Sequence, residues 1–168
     1  MNLGPMDRFG SVCDPFQMDT LRALKQVFIF KDVPDAVLEL VARAAEEMSA
    51  SPGETIVSHG QSPNALYVIR SGTVRLAPEG RDRSPAQFGS GETIGDVPFV
   101  DGGPAAVTAV ALERAELLVI RRKKLDELFA NKPEAAHQFY RAIAESLAKR
   151  LRRAVDMLAF ATERDGKS

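Results

Sequence analysis

From Gln17 to Phe30 the apolar residues Met18, Leu21, Leu24, Val27 and Phe28 recur at the spacing of one helix face. Pro34 suits a first helical position, with Asp32 or Val33 placed to cap it. Val37, Leu38, Leu40, Val41 and Ala44 then predict a second amphipathic helix that ends near Met48. After Ser51-Pro52-Gly53 the period shortens. Brief apolar runs alternate with turn residues: Thr55-Ile56-Val57, Ala65 to Arg70, Thr73 to Leu76, Gln87-Phe88, Thr93-Ile94, Val107 to Ala111 and Glu116 to Ile120. Many short strands at close spacing predict an antiparallel sandwich or barrel. Gly53, Gly60, Gly72, Gly80, Gly89, Gly91 and the pair Gly102-Gly103 are expected at corners with positive φ.

Helical periodicity returns at Lys123, where Leu125, Leu128 and Phe129 make a short helix that stops before Lys132-Pro133. A long helix is expected from Pro133 to Thr162. The organisation expected is a flexible leader over 1–16, helices plus a β unit over 17–132, the long helix over 133–162 and a tail over 163–168. On that last helix Ala144, Leu147, Leu151, Ala154, Leu158 and Ala161 form an a/d stripe, and Phe139, Ile143 and Val155 form a neighbouring one. Two stripes suit a helix that covers its own β unit with one and a second copy of the chain with the other. A homodimer seam at Leu147, Leu151, Ala154 and Leu158 is the expectation; one broad core face is the alternative.

Composition narrows the functions little. The net charge of −1 calls for neither nucleic acid nor a membrane surface. The one cysteine, Cys13, excludes an internal disulfide, and a reducing, cytoplasmic setting is expected. No run approaches the length of a membrane span. His59 and His137 have no partners at metal-ligand spacing, no nucleophile stands in a catalytic motif, and no cofactor is implied. The basic groups Arg121-Arg122-Lys123-Lys124 and Lys149-Arg150, Arg152-Arg153 read as solvated helix faces or as a surface for an acidic partner.

Several ordered motifs carry more information than any single residue. Phe30-Lys31-Asp32-Val33-Pro34 is followed by Pro52-Gly53-Glu54-Thr55-Ile56 and His59-Gly60-Gln61. Next come Leu66-Tyr67-Val68-Ile69-Arg70-Ser71-Gly72-Thr73-Val74 and then Gly91-Glu92-Thr93-Ile94-Gly95. The series resembles the cyclic-nucleotide-binding domains of the catabolite-activator and protein-kinase-A regulatory-subunit type. The resemblance implies a mainly β fold: a jelly-roll-like double-stranded β-helix of eight strands, with N-terminal helices and a long C-terminal helix. It also implies a regulatory, non-enzymatic role, with a cyclic nucleotide or related small ligand in the pocket and a lid or dimer made by the last helix. Transcription factors of this type add a helix-turn-helix, for which the residues after Thr162 leave no room, so DNA binding is not expected.

The segment Gly95 to Ala106 resembles the family's phosphate-binding cassette, but its chemistry is altered. In the family a glutamate accepts from a ribose hydroxyl, an arginine pairs with the cyclic phosphate, and backbone N–H groups of a short helix complete the anion site. Here Gly95 matches the turn glycine and Asp96 stands at the glutamate position. Pro98 replaces a residue that donates its N–H, and proline has none. Ala105 stands where the arginine belongs, and Ala106 follows it. By resemblance the ligand-binding positions are Gly95, Asp96, Val97, Ala105 and Ala106. The expectation is weak or absent binding of ordinary cyclic AMP. The alternatives are a different nucleotide-like ligand, or a vestigial pocket filled by Val97, Phe99 and Val107 in a module that binds a protein partner through the helix seam. Arg75, Arg81 and Arg83 are the candidates to restore the missing positive charge.

Overall fold

The computed structural model describes residues 15–78 and 85–165, with side chains described through residue 157. Helix α1 (Pro15–Gln26) leads into a 3₁₀ turn (Phe28–Phe30) and then α2 (Asp35–Ala44). Eight strands and a short helix follow: β1 (Ala45–Ala50), β2 (Thr55–Val57), β3 (Ala65–Ser71), β4 (Val74–Pro78), β5 (Ala86–Phe88), β6 (Thr93–Ile94), α3 (Asp96–Asp101), β7 (Val107–Ala111) and β8 (Ala115–Arg121). Two helices close the described chain, α4 (Arg122–Phe129) and α5 (Pro133–Asp165). The strands form two four-stranded antiparallel sheets, ordered β1-β8-β3-β6 and β2-β7-β4-β5. This is the β-roll expected from the motif order.

Strands β3 and β8 explain why the helices sit where they do. Each is buried along nearly its whole length, because each separates two cores. Tyr67, Ile69, Leu117 and Val119 point between the sheets, where they meet Val57, Val74, Ile94 and Ala109. Leu66, Val68, Leu118 and Ile120 point the other way, against Leu24, Phe30, Leu38, Phe99, Phe139 and Ile143 of the helical layer. The alternation of a strand thus serves both layers. Burying each such side chain contributes about 1.5–3 kcal/mol.

Phe139 of α5 is the centre of the helical layer. Its ring lies 5.4 Å from Phe30, 6.2 Å from Phe99, 5.7 Å from Phe129 and 5.5 Å from Tyr140, centroid to centroid. The first half of α5 is therefore anchored by aromatic packing. Residues 151–157 are all exposed, so the helix runs on past the body of the domain.

Several expectations are corrected. Residues 45–48 do not continue the second helix. The backbone turns extended at Ala45 (φ −77°, ψ 145°), and β1 pairs with β8 from Ala45↔Ile120 to Ala50↔Ala115. A free edge on β8 outweighs the helix propensity of Ala-Glu-Glu-Met. Pro34 caps α2 rather than opening it. Pro15 and Phe16, assigned to the leader, belong to α1, and residues 163–165, assigned to the tail, extend α5. Residues 1–14, with Cys13, lie outside the described residues, as do Gly80, Arg81 and Arg83. Gly53, Gly60, Gly72, Gly91, Gly95 and Gly102 have positive φ, whereas Gly89 and Gly103 do not.

Candidate functional site

The site is built around α3. Gly95 caps its N-terminus in the left-handed region (φ 78°), and Gly102 ends it in the same region (φ 72°), donating its N–H to Pro98 O at 3.0 Å. At Gly95 the requirement is also spatial. A Cβ there would lie 3.0 Å from Ala65 O and 3.3 Å from the Tyr67 ring. The helix is thereby pressed onto β3 and its first turn is aimed into the mouth of the roll. Asp101 closes the far turn, accepting from Gly103 N at 2.7 Å. It acts as a turn residue.

Beneath α3 lies a cavity of about 230 Å³. Val57, Leu76, Ile94, Val107 and Ala109 of the roll wall it, and Gly95 to Pro98 with Ala105 and Ala106 form its rim. Thr93 and Arg150 also line it. All five positions read as ligand-binding therefore meet at one cavity. Val97 and Val107 line it, but Phe99 does not plug it. Phe99 is fully buried on the helical side, against Phe139 and Tyr140.

Several polar groups at the rim are already engaged. Asp96 is only 6% exposed. Its Oδ1 accepts from Val97 N at 3.1 Å, so the side chain of Asp96 occupies an amide of the short helix. Pro98 has no N–H to offer. Ala105 N donates to Gln61 O at 2.8 Å, while Ala105 O accepts from Gly60 N at 2.8 Å. The backbone of Ala105 is thus spent on holding the neighbouring turn.

The positive charge at the cavity comes from the long helix. Arg150 Nη1 donates to Asp96 Oδ2 at 2.5 Å, and the guanidinium lies 5.8 Å from the centroid of the Phe88 ring on β5. Arg150 thereby joins the cassette, the roll and α5. Sequence reasoning placed it on a solvated basic face. The two partners are 54 residues apart, and the period of α5 carries no mark that singles out Arg150 from its basic neighbours. Arg75 does not line the cavity.

Among the described residues, the remaining basic positions divide by segment. Arg121 and Lys124 pair with Glu46, and Arg122 pairs with Asp126. Lys149, Arg152 and Arg153 make no ion pair among the described residues. His59 and His137 are exposed, and no cluster of metal-ligating side chains is found among the described residues. No helix among them is long and apolar enough to cross a membrane. The expected seam also divides. Leu147 is half-buried against the helical core, Leu151 is 66% exposed, Ala154 is exposed, and the side chain of Leu158 lies outside the described residues.

Comparison with known proteins agrees with this fold. A family model described as the cyclic nucleotide-binding domain matches residues 47–132. The cyclic AMP receptor protein of Thermus thermophilus is 36% identical over 119 residues, covering 67% of this chain and 53% of that protein. A CRP-like cAMP-activated global transcriptional regulator of Mycobacterium tuberculosis is 27% identical over 139 residues, covering 81% of this chain and 60% of that protein. The chain thus spans between half and two thirds of these relatives. Among solved structures, a cyclic nucleotide-binding domain from Methylobacillus flagellatus superposes with a TM-score of 0.72 at 20% identity, covering 86% of this chain and 83% of that one. The catabolite activator protein of Thermus thermophilus gives 0.67 at 29% identity, covering 80% and 62%.

Proposed function

Because the chain belongs to the cyclic nucleotide-binding domain family, we propose that it is a regulatory, non-enzymatic, cytoplasmic module in which the state of the cassette cavity sets the position of α5. The observation that carries this reading is the ion pair between Asp96 of the cassette and Arg150 of the long helix. Anything that enters the cavity must lie beside that pair, so occupancy bears directly on the helix. The aromatic contacts of Phe99 with Phe139 and Tyr140 give the same two elements a second, rigid connection.

The reading includes weak or absent binding of ordinary cyclic AMP. Ala105 supplies no guanidinium, Pro98 supplies no N–H, and Asp96 holds both the Val97 amide and Arg150. Hydrogen bonds to charged groups are worth about 1.5–3 kcal/mol each. Losing two weakens a ligand by roughly two to four decades, at about 1.4 kcal/mol per decade. Thermal unfolding measured with millimolar cyclic AMP and cyclic GMP should show little shift. Hydrogen exchange tests the coupling. Asp96→Asn should speed exchange of amides 146–157, and an unchanged α5 would sink the proposed link.

A second copy is the partner this reading favours. Leu151 and Val155, one turn apart on the same face, are 66% and 54% exposed on a helix that projects past the domain. Two such helices packed together would bury these side chains. A scaffold for another protein is the competing use of the same surface.

A further inference from the structure

The cassette cavity carries one acid and one base, and the two are already paired. We infer that it takes a small, uncharged and mainly apolar molecule in place of a cyclic phosphate. This rests on the reading of the cavity as the regulatory site and names the class of its ligand.

Three observations converge. The walls are mainly hydrocarbon: Val57, Leu76, Ile94, Val107 and Ala109 offer no side-chain donor or acceptor, and Thr93 is the one wall residue with a hydroxyl. The charges at the rim cancel, since Arg150 lies on Asp96. An anion that drew Arg150 away would leave the nearly buried Asp96 carboxylate without its counter-ion, and one that shared the guanidinium would set a second negative charge beside that carboxylate; both are unfavourable. A neutral molecule leaves the pair intact. The size agrees: the cavity is about 230 Å³, below the roughly 300–1,000 Å³ usual for drug-sized ligands and above the roughly 150 Å³ that holds benzene in an engineered apolar cavity. A fused bicyclic ring is about the largest rigid body of this kind that it suits.

Indole is a suitable probe because the chain contains no tryptophan, so indole emission is read without background. Indole, indole-3-carboxylate and cyclic AMP are titrated into the purified chain, the first two by fluorescence and the third by calorimetry. Saturable indole binding at least tenfold tighter than that of either anion is expected. Ala105→Phe and Leu76→Phe, each checked for folding by circular dichroism, should abolish it by filling the cavity. Asp96→Asn frees Arg150 and should turn the preference toward indole-3-carboxylate, whereas Asp96→Asn with Arg150→Gln should keep the preference for indole. Equal or tighter binding of an anion to the unmodified chain would overturn the inference. So would indole binding that survives both fillers, or binding of none of the three probes. Hydrogen exchange of α5 with indole bound separates the two ideas. Indole binding with an unchanged α5 would leave the ligand class standing and remove the coupling. Faster α5 exchange in Asp96→Asn without any indole binding would do the reverse.

Discussion

The ring of Phe99 lies against the ring of Tyr140, with centroids 6.1 Å apart and planes 26° from parallel. Phe99 belongs to the cassette helix α3 and Tyr140 to the long helix α5, so this contact holds together the two elements that the proposed regulation requires to move. Tyr140 is held a second way, by donating its hydroxyl to Asp126 Oδ1 at 2.9 Å. Burial, followed by that carboxylate, pushes the Tyr140 hydroxyl up from about 10 to about 12.

An alkaline limit of stability follows. A tyrosine whose folded value is raised favours the protonated, folded form. Its contribution is complete below about pH 10 and is lost as pH rises through about 12. Tyr67 is shifted in the same direction, by burial against the opposing effect of Arg121. Denaturant midpoints should therefore fall between pH 10 and 12, and Tyr140→Phe should shallow the fall. An identical pH profile in the variant would show that Tyr140 does not carry it.

The Asp96–Arg150 pair should behave as one unit. Arg150→Gln leaves a nearly buried carboxylate with a poorer partner and should cost about 1–3 kcal/mol, held below the cost of breaking a fully buried pair by the 38% exposure of the arginine. The double variant Asp96→Asn with Arg150→Gln should cost less than the sum of the single changes. Urea denaturation of all four proteins measures the coupling, and strict additivity would mean that the contact contributes nothing to stability.

On the proposed reading of the cassette, adding the two groups that the family uses should raise affinity for cyclic AMP. Pro98→Ala returns an N–H to α3, and Ala105→Arg places a guanidinium on the cavity rim. Together they should raise cyclic AMP affinity by roughly two decades or more, given about 1.5–3 kcal/mol for each charged hydrogen bond. Calorimetry on the double variant checks this. If it binds no better than the unmodified chain, the absence of these two groups is not what sets the affinity.

Thr93 is 1% exposed, and its hydroxyl has no hydrogen-bond partner among the described residues. It sits on β6 opposite Val68, whose side chain belongs to the helical core. Thr93→Val keeps the shape and removes the hydroxyl, so a gain of about 1 kcal/mol is expected from relief of its desolvation. Thermal melts report the change. A loss of stability would show that the hydroxyl is hydrogen-bonded in the folded chain.

The outer half of α5 should decide the oligomeric state. Leu151→Asp changes a residue that is 66% exposed, so the fold itself should change by less than about 0.5 kcal/mol. Sedimentation velocity should find a dimer before the substitution and a monomer after it. A monomer before it would remove the seam from the proposal.

Much of this molecule is local in origin. The glycines at 53, 60, 72, 91, 95 and 102 stand where only a residue without a Cβ takes positive φ easily. They cut the chain into strands before any packing is considered. The Gly95–Asp96 turn, the proline at 98 and the alanine at 105 are likewise legible without coordinates, and only the family resemblance gives the last two a meaning for the ligand. What lay beyond the sequence depended on partners distant along it. Residues 45–48 have helical composition, and only the open edge of β8 makes them a strand. Phe99 reads from the sequence as a plug for the cavity, and the Phe139 cluster draws it into the core instead. Leu147 and Leu151 share one stripe, yet the first packs on the domain and the second stands in solvent, because the body of the domain ends between them. Arg150 is one of several cations on its helix until the fold brings Asp96 to it across 54 residues. Periodicity and backbone restriction act within a few residues and can be read from the chain itself. Ion pairing and core packing act through space, and the tertiary structure alone decided which residues they join.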